Sequence, residues 1–217
     1  MKAVLLFFIL IISFQFTKSD KTALFLGDSL TAGDGVDKAL TFSARVGQNF
    51  EGLNSINLGR SGWPTTAYLK RWDEVTQKFP KQADFIFMQL GANDLRVDGH
   101  SDEVVQQCAV NMKEILKRLE EIYPQAQIIL MSSTKIDYTQ MNEQIRNANF
   151  GAHTNEYINS IGKKYKKLAK SEDYGFIDLY QKVPIHSTHD GAHLTEEGHA
   201  KVADIIIKYL ESYSTGY

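Results

Sequence analysis

The chain predicts an α/β fold, a mostly parallel sheet with helices on both faces. Three observations lead there. Short apolar runs alternate with longer amphipathic stretches, the pattern of strand–helix crossover units. Polar, glycine-containing motifs follow four of the five apolar runs, as expected where ligands gather beyond the carboxyl ends of parallel strands. The 217 residues carry no internal repeat, low-complexity tract or Pro/Gly/Ser linker, so they fit one domain with a real core.

The elements follow in order. Expected strands are Ala23–Gly27, Ser55–Leu58, Asp84–Leu90, Gln127–Met131 and Gly175–Leu179. The first is consecutive apolar residues, as in a strand buried on both faces. The clearest helix is Asp102–Tyr123, where Val105, Cys108, Met112, Ile115, Leu116, Leu119 and Ile122 recur at helical spacing and Pro124 stops the run. A second helical pattern occupies the 142–170 region, with Ile158, Ile161, Tyr165 and Leu168 on one face. The last runs from about Thr195 to Tyr209, with Thr195 as N-cap and Glu196 and Glu197 in the first turn.

The N-terminus reads differently. Lys2 precedes an apolar run from Ala3 to Phe16, broken by Ser13 and Gln15. A spanning helix needs about 20 apolar residues, whereas this run fits the apolar region of a secretory signal peptide. Thr17-Lys18-Ser19 offers an imperfect cleavage site. Residues 1–19 are therefore expected to be a signal peptide and 20–217 a single domain, secreted or periplasmic, with no stable membrane insertion of the mature chain. The alternative is an N-terminal membrane anchor. A net charge of −2 gives no electrostatic footprint for nucleic acid. The single cysteine, Cys108, lies on the apolar stripe of its helix and reads as a core residue, so packing rather than a disulfide holds the chain together.

The motifs at the strand ends carry the chemistry. Gly27-Asp28-Ser29 follows the first strand, Asn57-Leu58-Gly59-Arg60-Ser61-Gly62 the second and Gly91-Ala92-Asn93-Asp94 the third. His189-Asp190-Gly191-Ala192-His193 lies before the final helix. Serine is a weak nucleophile that needs a base. His193 is placed to be that base, and Asp190, three residues earlier, to orient it. A tetrahedral oxyanion needs preorganised donors. The Ser29 N–H, the Gly62 N–H and the Asn93 amide are the three on offer. Taken alone, Asp and Ser before a helix also serve as plain caps.

With four blocks in place, the sequence resembles the GDSL/SGNH hydrolase family. Gly-Asp-Ser-Leu is complete at residues 27–30, Asn-x-Gly-x-Ser-Gly places the family glycine on Gly62, Gly-x-Asn-Asp places its asparagine on Asn93, and Asp-x-x-His places acid and base on Asp190 and His193. The blocks keep the family order across residues 24 to 199. Leu194 departs from the proline many members carry after the histidine, which touches loop geometry rather than chemistry. The resemblance implies a flavodoxin-like three-layer α/β/α sandwich around a five-stranded parallel sheet, and a serine esterase or lipase working through an acyl-serine intermediate. There is no Gly-x-Ser-x-Gly elbow of the α/β-hydrolase type.

Other residues read more plainly. Asp28 braces its turn, Asn57 shapes the second loop, Gly33 and Gly59 serve turns, Asp94 caps the next segment, and Arg60 and Arg96 rim the cleft or are simply solvated. Trp63 is expected to form a substrate-binding wall, with packing of its loop onto the sheet as the alternative. His186, His189, Asp190, His193 and His199 lie close in sequence, so a metal-dependent hydrolase is the rival enzyme class. A non-catalytic carbohydrate-binding module is the rival without chemistry. The favoured reading needs no cofactor and no metal.

For substrate, the segment Ser132 to about Thr154 reads as a polar wall of the cleft, with no long apolar surface for a fatty chain. That favours short acyl groups on a polar alcohol, above all O-acetyl groups on carbohydrate, so the expected partner is a small-molecule or polysaccharide acyl ester. The alternatives are a lysophospholipase, an arylesterase or a thioesterase of the same family. Because His193 must be neutral to act as base, activity should fall on the acid side, near the ordinary histidine pKa of about 6.5.

Overall fold

The computed structural model describes residues 21–214. The segment expected to be a signal peptide lies outside them. Five strands, β1 (Lys21–Gly27), β2 (Leu53–Asn57), β3 (Phe85–Gln89), β4 (Gln127–Met131) and β5 (Gly175–Ile177), form one sheet in the order β2-β1-β3-β4-β5. Every pairing is parallel. This is the doubly wound flavodoxin-like order, with its switch point between β1 and β3.

Strand side chains alternate between faces, and the core divides accordingly. Leu24, Leu26, Ile86, Met88, Ile128 and Leu130 point to one side of the sheet. Ala23, Phe25, Phe85, Phe87, Ile129 and Met131 point to the other. On the first side lie helices α3 (Thr65–Lys70), α4 (Trp72–Thr76), α5 (Ala92–Asp98), α6 (Asp102–Ile122) and α8 (Thr154–Ser171). On the second lie α2 (Phe42–Asn49), α9 (Leu179–Lys182) and α10 (Glu196–Ser214). Each large side chain buried between the layers contributes about 1.5–3 kcal/mol, so apolar burial on both faces holds the sheet edge in place. Cys108 is part of this core, its sulfur 3.0 Å from the Tyr165 hydroxyl. Among the described residues no helix is long and apolar enough to cross a membrane.

Two short helices sit at the carboxyl edge. α1 (Ser29–Ala32) follows β1 directly, and α7 (Glu143–Arg146) lies in the loop after β4. The expected 142–170 helix is thus two helices. Asn149, at φ 62°, turns the chain between them, and this left-handed conformation is one that Asn tolerates at a helix break.

Candidate active site

The first block is built tightly. Asp28 caps α1, its Oδ1 accepting from the Leu30 N–H at 3.0 Å, which leaves Ser29 as the first helical residue at the strand end. Gly27 admits no side chain, since a Cβ there would sit 2.5 Å from the Gln89 carbonyl oxygen. The buried Tyr68 hydroxyl donates to the Gly27 carbonyl at 2.9 Å and accepts from its N–H at 3.0 Å, fixing the strand end beneath the serine. Tyr68 has no motif around it, and only the folded α3 reveals this role.

The second block bends as its asparagine was expected to bend it. Asn57 Nδ2 donates to the Thr31 carbonyl at 2.6 Å and the Ser43 hydroxyl at 2.7 Å, while its Oδ1 accepts from the Gly59 N–H at 3.0 Å. Gly62 adopts φ 76°, a left-handed conformation suited to glycine. The third block places Asn93 in the first turn of α5, 6% exposed. Its Nδ2 donates to Asp28 Oδ2 at 3.3 Å.

In the fourth block, Asp190 Oδ2 lies 2.7 Å from His193 Nδ1. Asp190 Oδ1 accepts from the Ala192 and His193 amides at 2.9 and 2.8 Å. Burial pushes the Asp190 carboxyl up, but its bonds from the His193 ring and the two amides outweigh this and leave it below the usual carboxylate range. Asp190 therefore stays ionised beside the imidazole, as an orienting acid must. Leu194, at the family's proline position, is buried in the core below.

These elements meet at a cleft of about 340 Å³ whose lining includes Ser29, Gly62, Asn93 and His193. The site residues read from sequence, Asp190 behind His193 included, thus converge at one edge of the sheet. Trp63 does not join them. Its ring packs edge-on against Tyr68 at 5.6 Å and lies beneath the guanidinium groups of Arg60 and Arg71, at 5.6 and 5.0 Å. The expected substrate wall is instead a packing residue, because the left-handed turn at Gly62 carries position 63 down onto α3.

A second correction concerns the segment 132–154. Ile136, Ile145, Ala148 and Phe150 all line the cleft, beside Ser133 and Gln144 of the same segment. Scattered among polar residues, they form no run or period in sequence, yet the loop and α7 gather them into an apolar wall. The lining also has a polar part, where Ser61 Oγ donates to Asp34 Oδ1 at 2.6 Å.

Two buried carboxylates support the site. Burial pushes both Asp28 and Asp94 up to about 6, against hydrogen bonds that favour their charged forms. Asp94 accepts from the Thr65 N–H at 3.0 Å and also from its hydroxyl, so it caps α3 rather than its own helix. The histidines separate by surroundings. His199 is buried against Phe42, its Nδ1 accepting from the Phe42 N–H at 3.1 Å, and burial lowers its pKa to about 4. His189, Asp190 and His193 place ligand-type atoms within 4.8 Å of one another, but both Asp190 oxygens are engaged by the His193–Ala192 turn and the His193 ring. That donor set suits orientation of an imidazole better than coordination of an ion.

A parallel doubly wound sheet with Ser29, Asn93 and the Asp190–His193 pair gathered at its carboxyl edge defines the class: a hydrolase built on an α/β/α sandwich. Comparison with known proteins makes it specific. The model of the GDSL-like Lipase/Acylhydrolase family matches residues 25–201, and the chain belongs to that family of carboxylic ester hydrolases. It is 26% identical over 210 residues, 94% of this chain and 89% of the relative, to the thioesterase 1/protease 1/lysophospholipase L1 of Escherichia coli K12. Its fold is similar to that of Est24, a carbohydrate acetylesterase from Sinorhizobium meliloti, with TM-score 0.74 and 18% identity over 89% of this chain and 99% of that one. It is likewise similar to the aryl esterase of M. smegmatis, with TM-score 0.72 and 18% identity over 88% and 99% of the two chains.

Proposed function

We propose that the chain hydrolyses esters of short to medium acyl chains through an acyl-serine intermediate. Ser29 is the nucleophile, His193 the base and Asp190 its orienting acid. The observation that carries this reading is the 2.7 Å Asp190–His193 bond at a cleft that also holds Ser29 and is walled by Ile136, Ile145, Ala148 and Phe150. His193 takes the Ser29 proton as Oγ bonds to the ester carbonyl carbon, and negative charge moves onto the carbonyl oxygen. The Ser29 and Gly62 N–H groups and Asn93 Nδ2 receive that charge. The tetrahedral intermediate then expels the alcohol, which leaves with the proton from His193. Water repeats the sequence on the acyl-enzyme, releasing the acid and restoring Ser29.

The apolar wall takes the acyl chain, at roughly 0.8 kcal/mol for each buried methylene. The polar rim at Asp34, Ser61 and Arg96 favours a second reading, in which the substrate is an O-acetyl group on carbohydrate and the rim meets the sugar. Rates on nitrophenyl esters of two to sixteen carbons, followed by release of acetate from acetylated polysaccharide, separate the two. A kcat/KM that rises from two carbons toward the middle of the series supports the first reading. A maximum at two carbons with rapid acetate release supports the second. Activity that survives EDTA but not a serine-directed inhibitor is expected in either case. Export is proposed from Lys2 and the Ala3–Phe16 run. N-terminal sequencing of secreted material tests it, and a retained Met1 would overturn cleavage.

A further inference from the structure

Arg96 reads from sequence as a rim or surface arginine. In the structure it sits in α5, half-buried at the cleft, and makes two directed bonds. Its Nε–H donates to Asn93 Oδ1 at 2.9 Å, and an Nη2–H donates to the Gly62 carbonyl at 2.8 Å. Asn93 and Gly62 come from different strand ends, after β3 and after β2, and are the two oxyanion donors contributed from outside the nucleophile's own turn. One planar cation therefore ties both. We propose that Arg96 is a positioning residue that sets the two outer donors of the oxyanion site. This inference rests on the roles given to Asn93 and Gly62 above.

Arg96 acts on the two donors in different ways. An asparagine amide can flip, exchanging donor for acceptor. With a guanidinium N–H on Oδ1 the flip would set two donors against each other, so Nδ2 stays turned the other way. There Asp28 Oδ2 accepts one of its hydrogens at 3.3 Å, leaving the second for a substrate oxyanion. Asn93 is thus held at both ends. Gly62, at φ 76°, has no side chain to restrain it. A Cβ there would meet nothing nearer than Arg96 Nη2 at 3.7 Å, so the position has room to move. The bond to its carbonyl restrains the peptide following the donor N–H. Arginine suits both tasks because its N–H groups form a rigid fork, whereas a lysine ammonium is a point donor on a flexible stem.

The test is a double-mutant cycle read in kcat and KM. Asn93→Ala should lower kcat about 10²–10³-fold. Arg96→Met, which keeps an apolar stem, should lower kcat about 10–100-fold with KM within about threefold, and Arg96→Lys should recover only part of the loss. In the Asn93→Ala background, Arg96→Met should cost less than it does alone, since half of what it positions is already gone. Binding of phenylboronic acid, whose serine adduct carries a tetrahedral oxyanion-like group, should weaken in step with kcat. Melting temperatures are measured for all variants, and a purely structural role would lower Tm without this coupling. Losses in kcat that multiply independently, or an Arg96→Met effect confined to KM, would overturn the proposal while leaving Asn93 as a donor. An Asn93→Ala enzyme with unchanged kcat would instead overturn the underlying reading, and the proposal with it.

Discussion

Two aspartate–histidine pairs in this molecule share nearly the same bond and differ in their surroundings. Asp190 and His193 meet at 2.7 Å with the histidine side chain 22% exposed, at the cleft that holds Ser29. Asp137 and His186 meet at 2.6 Å, but the histidine side chain is 72% exposed over a buried aspartate and lines no part of that cleft. Asp137 is held below the usual carboxylate range first by the Thr139 hydroxyl and only then by His186, whereas the His193 ring is the largest stabiliser of ionised Asp190. The difference teaches that a short Asp–His bond defines no chemistry by itself. A base becomes catalytic when a nucleophile and a substrate space lie on its other side.

The sharpest way to break the comparison is to remove the nucleophile. Ser29→Ala or His193→Ala should lower kcat on a nitrophenyl ester by on the order of 10⁶-fold, toward what the oxyanion donors alone supply. Unchanged ester hydrolysis by Ser29→Ala would show that Ser29 is not the nucleophile. Next comes the acid of each pair. Asp190→Asn should cost about 10⁴-fold in kcat, because the amide presents the wrong partner to Nδ1. Asp137→Asn, with the same chemical change at nearly the same bond length, should cost less than about tenfold. Equal losses would erase the distinction.

The two regions were not equally legible in the sequence. Ser29, Gly62 and Asn93 follow apolar runs, and Asp190 and His193 precede the final helix, all in recognisable blocks, so they could be read from spacing and order. β4, at Gln127–Met131, could be read to the residue because its apolar run is short and sharply bounded. Arg96, Tyr68 and the Asp94–Thr65 cap could not. Each works through a partner distant in sequence, with a separation of 41 positions from Tyr68 to Gly27 and 29 from Asp94 to Thr65. The apolar wall was missed for a related reason. Ile136, Ile145, Ala148 and Phe150 converge only because Asn149 breaks the helix and the loop folds over the cleft.

A smaller effect bears on the electrostatics of the Asp190–His193 pair. Asp28 is fully buried, favourably placed toward His193, and raised to about 6 from an ordinary 3.8. Asp28→Asn keeps a competent N-cap but removes a negative neighbour of the imidazole. The acid limb of kcat/KM should therefore move to lower pH. Stability gives an independent readout with its own sign. Because the folded pKa is raised, the folded state binds a proton between pH 3.8 and about 6 that the unfolded chain has lost. This contribution is complete below 3.8 and is lost as pH rises through 6, by on the order of 3 kcal/mol. The Asn variant should lose this part of the slope when Tm is followed from pH 4 to 8. A slope identical to the parent would place the buried charge elsewhere.

The smallest effect belongs to His186. Removing it leaves Asp137 with the Thr139 N–H at 3.1 Å, the Thr139 hydroxyl at 2.5 Å and the Gln140 amide at 3.1 Å, so no buried carboxylate is stranded. An exposed ion pair is worth about 0–1 kcal/mol. The backbone, not this pair, joins the two loops: the Asp137 N–H donates to the Gly191 carbonyl at 2.7 Å and the Asn142 N–H to the Asp190 carbonyl at 3.2 Å. His186→Ala should therefore keep kcat/KM within about twofold and stability within about 1 kcal/mol. A tenfold fall in activity with intact Tm would mean that the outer pair reaches Asp190 through those backbone bonds, and that the two pairs form one unit.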